Sequence, residues 1–86
     1  MHKPHSTIVL GDKDNVAIAL TAILKDDLID ELGLTAKTDI PKGHKVAKRA
    51  IARGDAVFKY GQIIGRSTTA ILAGEHVHTH NICLLY

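Results

Sequence analysis

Turn-forming residues recur so often along this chain that they leave almost no room for long regular elements. Gly11-Asp12-Lys13-Asp14-Asn15, Asp39-Ile40-Pro41-Lys42-Gly43, Arg53-Gly54-Asp55, Gly61 and Gly74-Glu75 are spread through the whole sequence. Proline fixes φ, glycine supplies the positive φ that other residues avoid, and Asp and Asn cap turns with their own side chains. Between these breaks lie apolar runs of strand length, over residues 6–10, 16–20, 56–60, 62–65 and 76–84. One stretch reads differently. Over residues 21–34, Ile23, Leu24, Leu28, Ile29 and Leu32 fall near helical spacing and Gly33 is placed to stop a helix, so a short helix is predicted there. Residues 44–51 follow the Pro-Gly turn without a clean two-fold alternation. The expectation is a small, irregular, mainly β domain with at most one or two short helices.

Eighty-six residues make one domain, near the lower limit of what buries enough surface to fold alone, with little room for a deep pocket. Residues 1–10 are read as a flexible lead and the first strand, and 11–86 as a single domain. Apolar content is 45%, carried by aliphatic residues, with Phe58, Tyr60 and Tyr86 the only aromatics. Single-stranded nucleic-acid binding needs more stacking surface than that, and a net charge of +2 is weak for any nucleic-acid partner. Basic residues concentrate only at His44, Lys45, Lys48 and Arg49, which suits a solvated face or an anion site. Cys83 is the lone cysteine and there is no apolar stretch of spanning length, which points to the cytoplasm and away from the membrane. Cys83 itself reads as a small core residue.

Gly74-Glu75-His76-Val77-His78-Thr79-His80-Asn81 carries three of the six histidines, at every second position. On a strand that spacing puts all three imidazoles on one face. Imidazole titrates nearest neutrality and is the commonest metal ligand. His78 and His80 are the pair expected to converge on one substrate or ion, with His76 as a neighbour on the same face. Asn81 reaches them only if the strand end twists or bulges. Three neutral histidines with no nearby Asp, Glu or Cys leave a divalent charge uncompensated, which weighs against metal ligation by the row alone.

Asp39-Ile40-Pro41-Lys42-Gly43-His44-Lys45-Val46-Ala47, then Gly54-Asp55-Ala56-Val57-Phe58-Lys59-Tyr60-Gly61-Gln62-Ile63-Ile64-Gly65-Arg66, then Gly74 to Asn81 together resemble the SAF-like domain that begins the altronate and galactarate dehydratases. Asp14-Asn15-Val16-Ala17 is similar to that family as well. The resemblance covers residues 11–81, in the family's order. It implies a β-clip fold and sugar-acid dehydration assisted by a divalent metal, iron or manganese, within a much larger catalytic domain. A chain of this size looks like a separately encoded small subunit, similar also to the alpha subunit of sulfolactate sulfo-lyase. The departure is Lys25-Asp26-Asp27-Leu28, where family members place a glycine-containing turn.

On that resemblance the expected function is that of a hydro-lyase subunit whose partner is a large catalytic dehydratase subunit and whose substrate is a small sugar-acid anion. A sulfo-lyase subunit and a non-catalytic binding module are the alternatives, and a homodimer through strand edges is a further expectation. Removing the proton beside a carboxylate and expelling the neighbouring hydroxyl calls for an acid, a base and fixed positive charge. His78 and His80 are assigned to catalysis and as metal ligands, with the metal held mainly by the large subunit. His44, Lys45, Lys59 and Asn81 are assigned to substrate binding, lysine holding a carboxylate as a point charge. Lys59 and Tyr60, adjacent on a strand, face opposite ways. Arg66 is read as either a carboxylate ligand or a structural ion-pair partner.

Overall fold

In the computed structural model, which describes residues 7–9 and 11–84, Gly33, Gly43, Gly54, Gly61 and Gly74 all fall in turns. The strands are β1 (Thr7–Val9), β2 (Val16–Ala19), β3 (Leu28–Ile29), β4 (Leu34–Thr35), β5 (Lys45–Ala47), β6 (Ala56–Lys59), β7 (Gln62–Ser67), β8 (His76–Val77) and β9 (Ile82–Leu84). They form a four-stranded sheet in the order β1-β2-β5-β8, a hairpin β3-β4 and a three-stranded sheet β6-β7-β9, every pairing antiparallel. The architecture is the mainly β one expected. The lead over residues 1–6 lies outside the described residues.

The four-stranded sheet is covered on both faces. Val16, Ala47 and Val77 point into a cluster with Ile51, Val57, Ile71 and Ile82, while Ala17, Ala19 and Val46 point into another with Ile23, Ile29, Ala36 and Ile40. A strand buried on both sides has no polar face, so residues 16–19 read as an unbroken apolar run. Burial of both Val46 and Ala47, followed by a bend at residues 48–49 in place of strand, removes the alternation from residues 44–51.

The helix expected over residues 21–34 is absent, and the backbone hydrogen bonds explain why. Ile23 exchanges two main-chain bonds with Ile40, and Asp26 N–H donates to Ala36 O at 2.8 Å. The Asp27 carboxylate accepts from Leu24 N–H. With those donors engaged across the chain, helical pairing is unavailable to them. Asp26 takes φ 74, a left-handed conformation that Asp tolerates better than most residues. Only Asp30–Leu32 is helical, as a single 3-10 turn ending at Gly33. The apparent helical spacing combined two buried residues, Ile23 and Ile29, with two exposed ones, Leu24 and Leu28.

The terminal strand is also different from the expectation. Residues 76–84 form two strands, β8 and β9, separated by a turn at 78–81 in which the N–H groups of Asn81 and Ile82 both donate to His78 O. The chain thereby leaves one sheet and joins another. In β9, Ile82 is buried and Cys83 exposed, so Cys83 is not the core residue expected: an edge strand buries alternate side chains, even within an apolar run.

A histidine cluster at the β5-β8 edge

The antiparallel register explains how four imidazoles meet. β5 pairs with β8 through Lys45↔Val77 and Val46↔His76, and one step further the same register sets His44 opposite His78. His44 lies two residues before Val46 and His78 two after His76, so all three histidines share one face of the sheet. On its other side, His44 O accepts from Ala19 N–H at 2.9 Å. The Pro41–Gly43 turn closes with His44 N–H donating to Pro41 O, so His44 starts from a fixed point.

The rings are in contact. His44 stacks on His78 with centroids 4.3 Å apart, His44 and His76 are 5.0 Å apart, and His76 and His78 are 5.5 Å apart and nearly parallel. His80, projecting from the turn, brings its ring within 5.1 Å of His76. A hydrogen bond joins His44 Nδ1 and His76 Nε2 at 2.8 Å. His44, His76 and His78 each offer a nitrogen within 4.8 Å of the others'; His80 stands outside that set. Burial and the neighbouring rings His80, His44 and His78, with Lys45, push the His76 pKa down to about 4. Partial burial, then His44, Lys45 and His80, lower that of His78. Both rings are therefore neutral at pH 7, with nitrogen lone pairs available.

The turn that carries them is held from beneath. Asn81 is 3% exposed; its Oδ1 accepts from His78 N–H at 2.9 Å and its Nδ2 donates to His76 O at 2.8 Å. The amide expected to reach substrate is thus committed to the backbone on which His76 and His78 sit. His76 N–H donates to Thr38 Oγ1 at 3.0 Å. Gly74, with φ +92, passes close against Thr35, and a methyl group there would strike the Thr35 carbonyl oxygen.

Lys45 is consecutive with His44 and so stands on the other face of the sheet, in the row Ile18-Lys45-Val77. Burial, and then the nearby Lys59, lower its pKa. Lys59 is half-buried at the end of β6, and its Nζ lies 5.5 Å from the Tyr60 ring centroid. Tyr60 is beyond the strand, at φ 55 in the hairpin turn. Arg66 uses Nη1 to donate to Gly54 O, a backbone acceptor rather than a carboxylate. The cluster thus brings together His44, His76, His78 and His80, with the positive charge of Lys45 acting on it from the side.

Sequence reasoning placed His76 as a bystander and left His44 in a separate loop; the structure makes these two the hydrogen-bonded pair at the centre. The two-residue spacing from His78 was the available signal for His76. Nothing local signals His44, which arrives from 32 residues away. The sequence marks Asp14 and Asn15 only as turn formers and as part of the family resemblance. The wholly buried Asp14 carboxylate accepts from Tyr60 N–H and Gly61 N–H, and Asn15 accepts from Phe58 N–H and donates to Ala56 O.

The signature of the altronate/galactarate dehydratase SAF domain matches residues 5–84. Altronate dehydratase of Bacillus subtilis strain 168 is 40% identical over 78 residues, and that of Escherichia coli K12 is 43% identical over 70. The aligned segments cover 88% and 79% of this chain but only 16% and 14% of those enzymes. The alpha subunit of (2R)-sulfolactate sulfo-lyase from Paracoccus pantotrophus is 56% identical over 48 residues, 56% of this chain and 72% of that subunit. The chain therefore spans a small part of the dehydratases and most of the length of a sulfo-lyase subunit it matches. With the quoted motifs present in order and the family signature matching nearly its whole length, this chain belongs to the altronate/galactarate dehydratase SAF-domain family.

Proposed function

We propose that this domain is the small subunit of a sugar-acid hydro-lyase, contributing one wall of an active site that a larger catalytic subunit completes. The observation that carries this reading is the meeting of four imidazoles on an open surface. The surface of the described residues holds no pocket, so a substrate bound here needs a second surface to exclude water. His78 and His80 serve the proton transfers, removal of the proton beside the carboxylate and protonation of the departing hydroxyl. His44 contributes a donor to the bound anion, while Lys45, on the opposite face of the sheet with Lys59 nearby, adds only the long-range attraction of positive charge for the carboxylate. A divalent iron or manganese ion, held mainly by the larger subunit, would stabilise the enediolate charge as a Lewis acid. Imidazole donors fit such an ion, being of the type that iron accepts.

Sulfite elimination from a sulfolactate-like anion is the second reading, favoured by the 72% coverage of a sulfo-lyase alpha subunit. We place the subunit in the cytoplasm, where an exposed free thiol such as that of Cys83 stays reduced. A homodimer would use the strand edges that the larger subunit otherwise covers. The deciding experiment is co-expression with a large dehydratase-like chain, followed by assay against altronate, galactarate and sulfolactate. The complex should turn over one of them, and His80→Ala should cut kcat by about 10²-fold or more. Absence of a complex, or unchanged turnover in His78→Ala and His80→Ala, overturns the proposal.

A further inference from the structure

We infer that His44, His76 and His78 form a three-imidazole binding site for one divalent transition-metal ion, within this chain and without a partner's ligands. The geometry is already most of the way to a coordination sphere. Two nitrogens bound to one ion at about 2.1 Å lie about 3.0 to 3.4 Å apart for angles between octahedral and tetrahedral. His44 Nδ1 and His76 Nε2 are 2.8 Å apart, sharing a proton. An ion replaces that proton, which moves to the outer nitrogen of the same ring, and the two rings need only separate slightly. The His78 nitrogen is within 4.8 Å of both. Its ring is half-buried and follows a fixed strand, so a side-chain rotation closes the remaining distance.

The backbone beneath the ligands is rigid for a surface site. Asn81 locks the carbonyl of His76 to the amide of His78, Thr38 holds His76 N–H, and Ala19 holds the carbonyl of His44. Such outer contacts orient ligands and raise affinity. His76 and His78 are neutral at pH 7, so binding requires no deprotonation of either ring.

The donor set selects the ion. Imidazole suits zinc, cobalt, nickel and ferrous iron, whereas calcium and magnesium take oxygen ligands, and none is offered here. Three neutral ligands also leave the ion's full charge in place. The open positions therefore favour an anion, and a 2-hydroxy acid, chelating through carboxylate and hydroxyl oxygens, matches the charge and fills two of the three positions that an octahedral ion has left. The ion on His78 would leave proton carrying to the exposed His80.

The test uses the isolated chain with the N-terminal histidines removed by His2→Ala and His5→Ala, stripped with chelator and titrated with Co(II) or Zn(II) at pH 7.5. One ion should bind per chain, with the visible spectrum of Co(II) bound by nitrogen ligands. His44→Ala, His76→Ala and His78→Ala should each weaken binding by at least about 10-fold, whereas His80→Ala should change it by less than about two-fold. Adding a 2-hydroxy acid should tighten Co(II) binding and alter its spectrum. If a triad variant loses its fold, the imidazole nitrogen resonances of the chain carrying all four cluster histidines replace it. Zn(II) should move those of His44, His76 and His78 and leave His80 in place. No stoichiometric ion in the folded chain, or loss in His80→Ala equal to that in the triad variants, overturns the inference. Lyase activity plays no part in these readouts, so the site can stand where the lyase proposal fails, and the reverse.

Discussion

Asn81 shows how much one side chain can do for a site that it does not enter. Its amide bridges the carbonyl of His76 and the N–H of His78 from a position 3% exposed. Truncation leaves both backbone groups without a partner, and an unsatisfied buried group costs about 1–3 kcal/mol. Asn81→Ala should therefore lower stability by about 2 kcal/mol, on the order of 10 °C in Tm for a chain of this size. It should also loosen the His76–His78 turn, measurable as faster hydrogen exchange at His78 N–H. A Tm within about 2 °C of the parent chain would show that the amide is dispensable. The sequence placed Asn81 beside the histidines correctly but suggested the wrong partner, because a local pattern shows adjacency and not which backbone groups a fold leaves unpaired.

Among the elements, the hairpin β6-β7 depends on residues far from it in sequence. Asp14 accepts from both amides of its turn, Tyr60 N–H and Gly61 N–H, and Asn15 pairs with Ala56 and Phe58. Hydrogen bonds to a charged acceptor contribute about 1.5–3 kcal/mol each. Asp14→Ala should cost about 3 kcal/mol by denaturant unfolding, and Asp14→Asn less, since an amide oxygen retains one of the two bonds. Equal stability of all three forms would sink this account. The turn itself was legible, from Tyr60-Gly61 between two apolar runs, as were β1, β2, β6 and β7. Residues 21–34 were misleading, because apolar side chains at near-helical spacing also arise when short strands and turns present residues alternately to core and solvent. Only the cross-chain bonds of Ile23 and Asp26 distinguish the cases.

For the whole molecule, the histidine cluster links folding to pH. His76 and His78 resist protonation in the folded chain, His76 down to about 4, while an unfolded histidine titrates near 6.5. Below about 6.5 the unfolded chain binds protons that the folded one excludes, so stability falls as pH drops toward 4 and these rings contribute little slope above 7. Solvent screening of half-exposed rings reduces the effect to about 1 kcal/mol. In metal-free buffer, Tm should drop by roughly 5 °C between pH 7 and 5, and His76→Gln should flatten that slope. A Tm that rises on acidification would contradict it. The order of residues alone determined where the chain must bend, that its pieces are strand-length, and that His76 and His78 share a face, because turn propensity and the two-residue pleat are local. That His44 completes the cluster, that Lys45 beside it faces away, and that Asn81 braces the turn follow from the pairing of β5 with β8 and the crossing from one sheet to the other. The His44–His76 contact joins residues 32 positions apart, whereas Asn81 reaches only three and five positions back, to backbone groups left free where the chain crosses between sheets; register between distant strands is settled by which faces can be buried together.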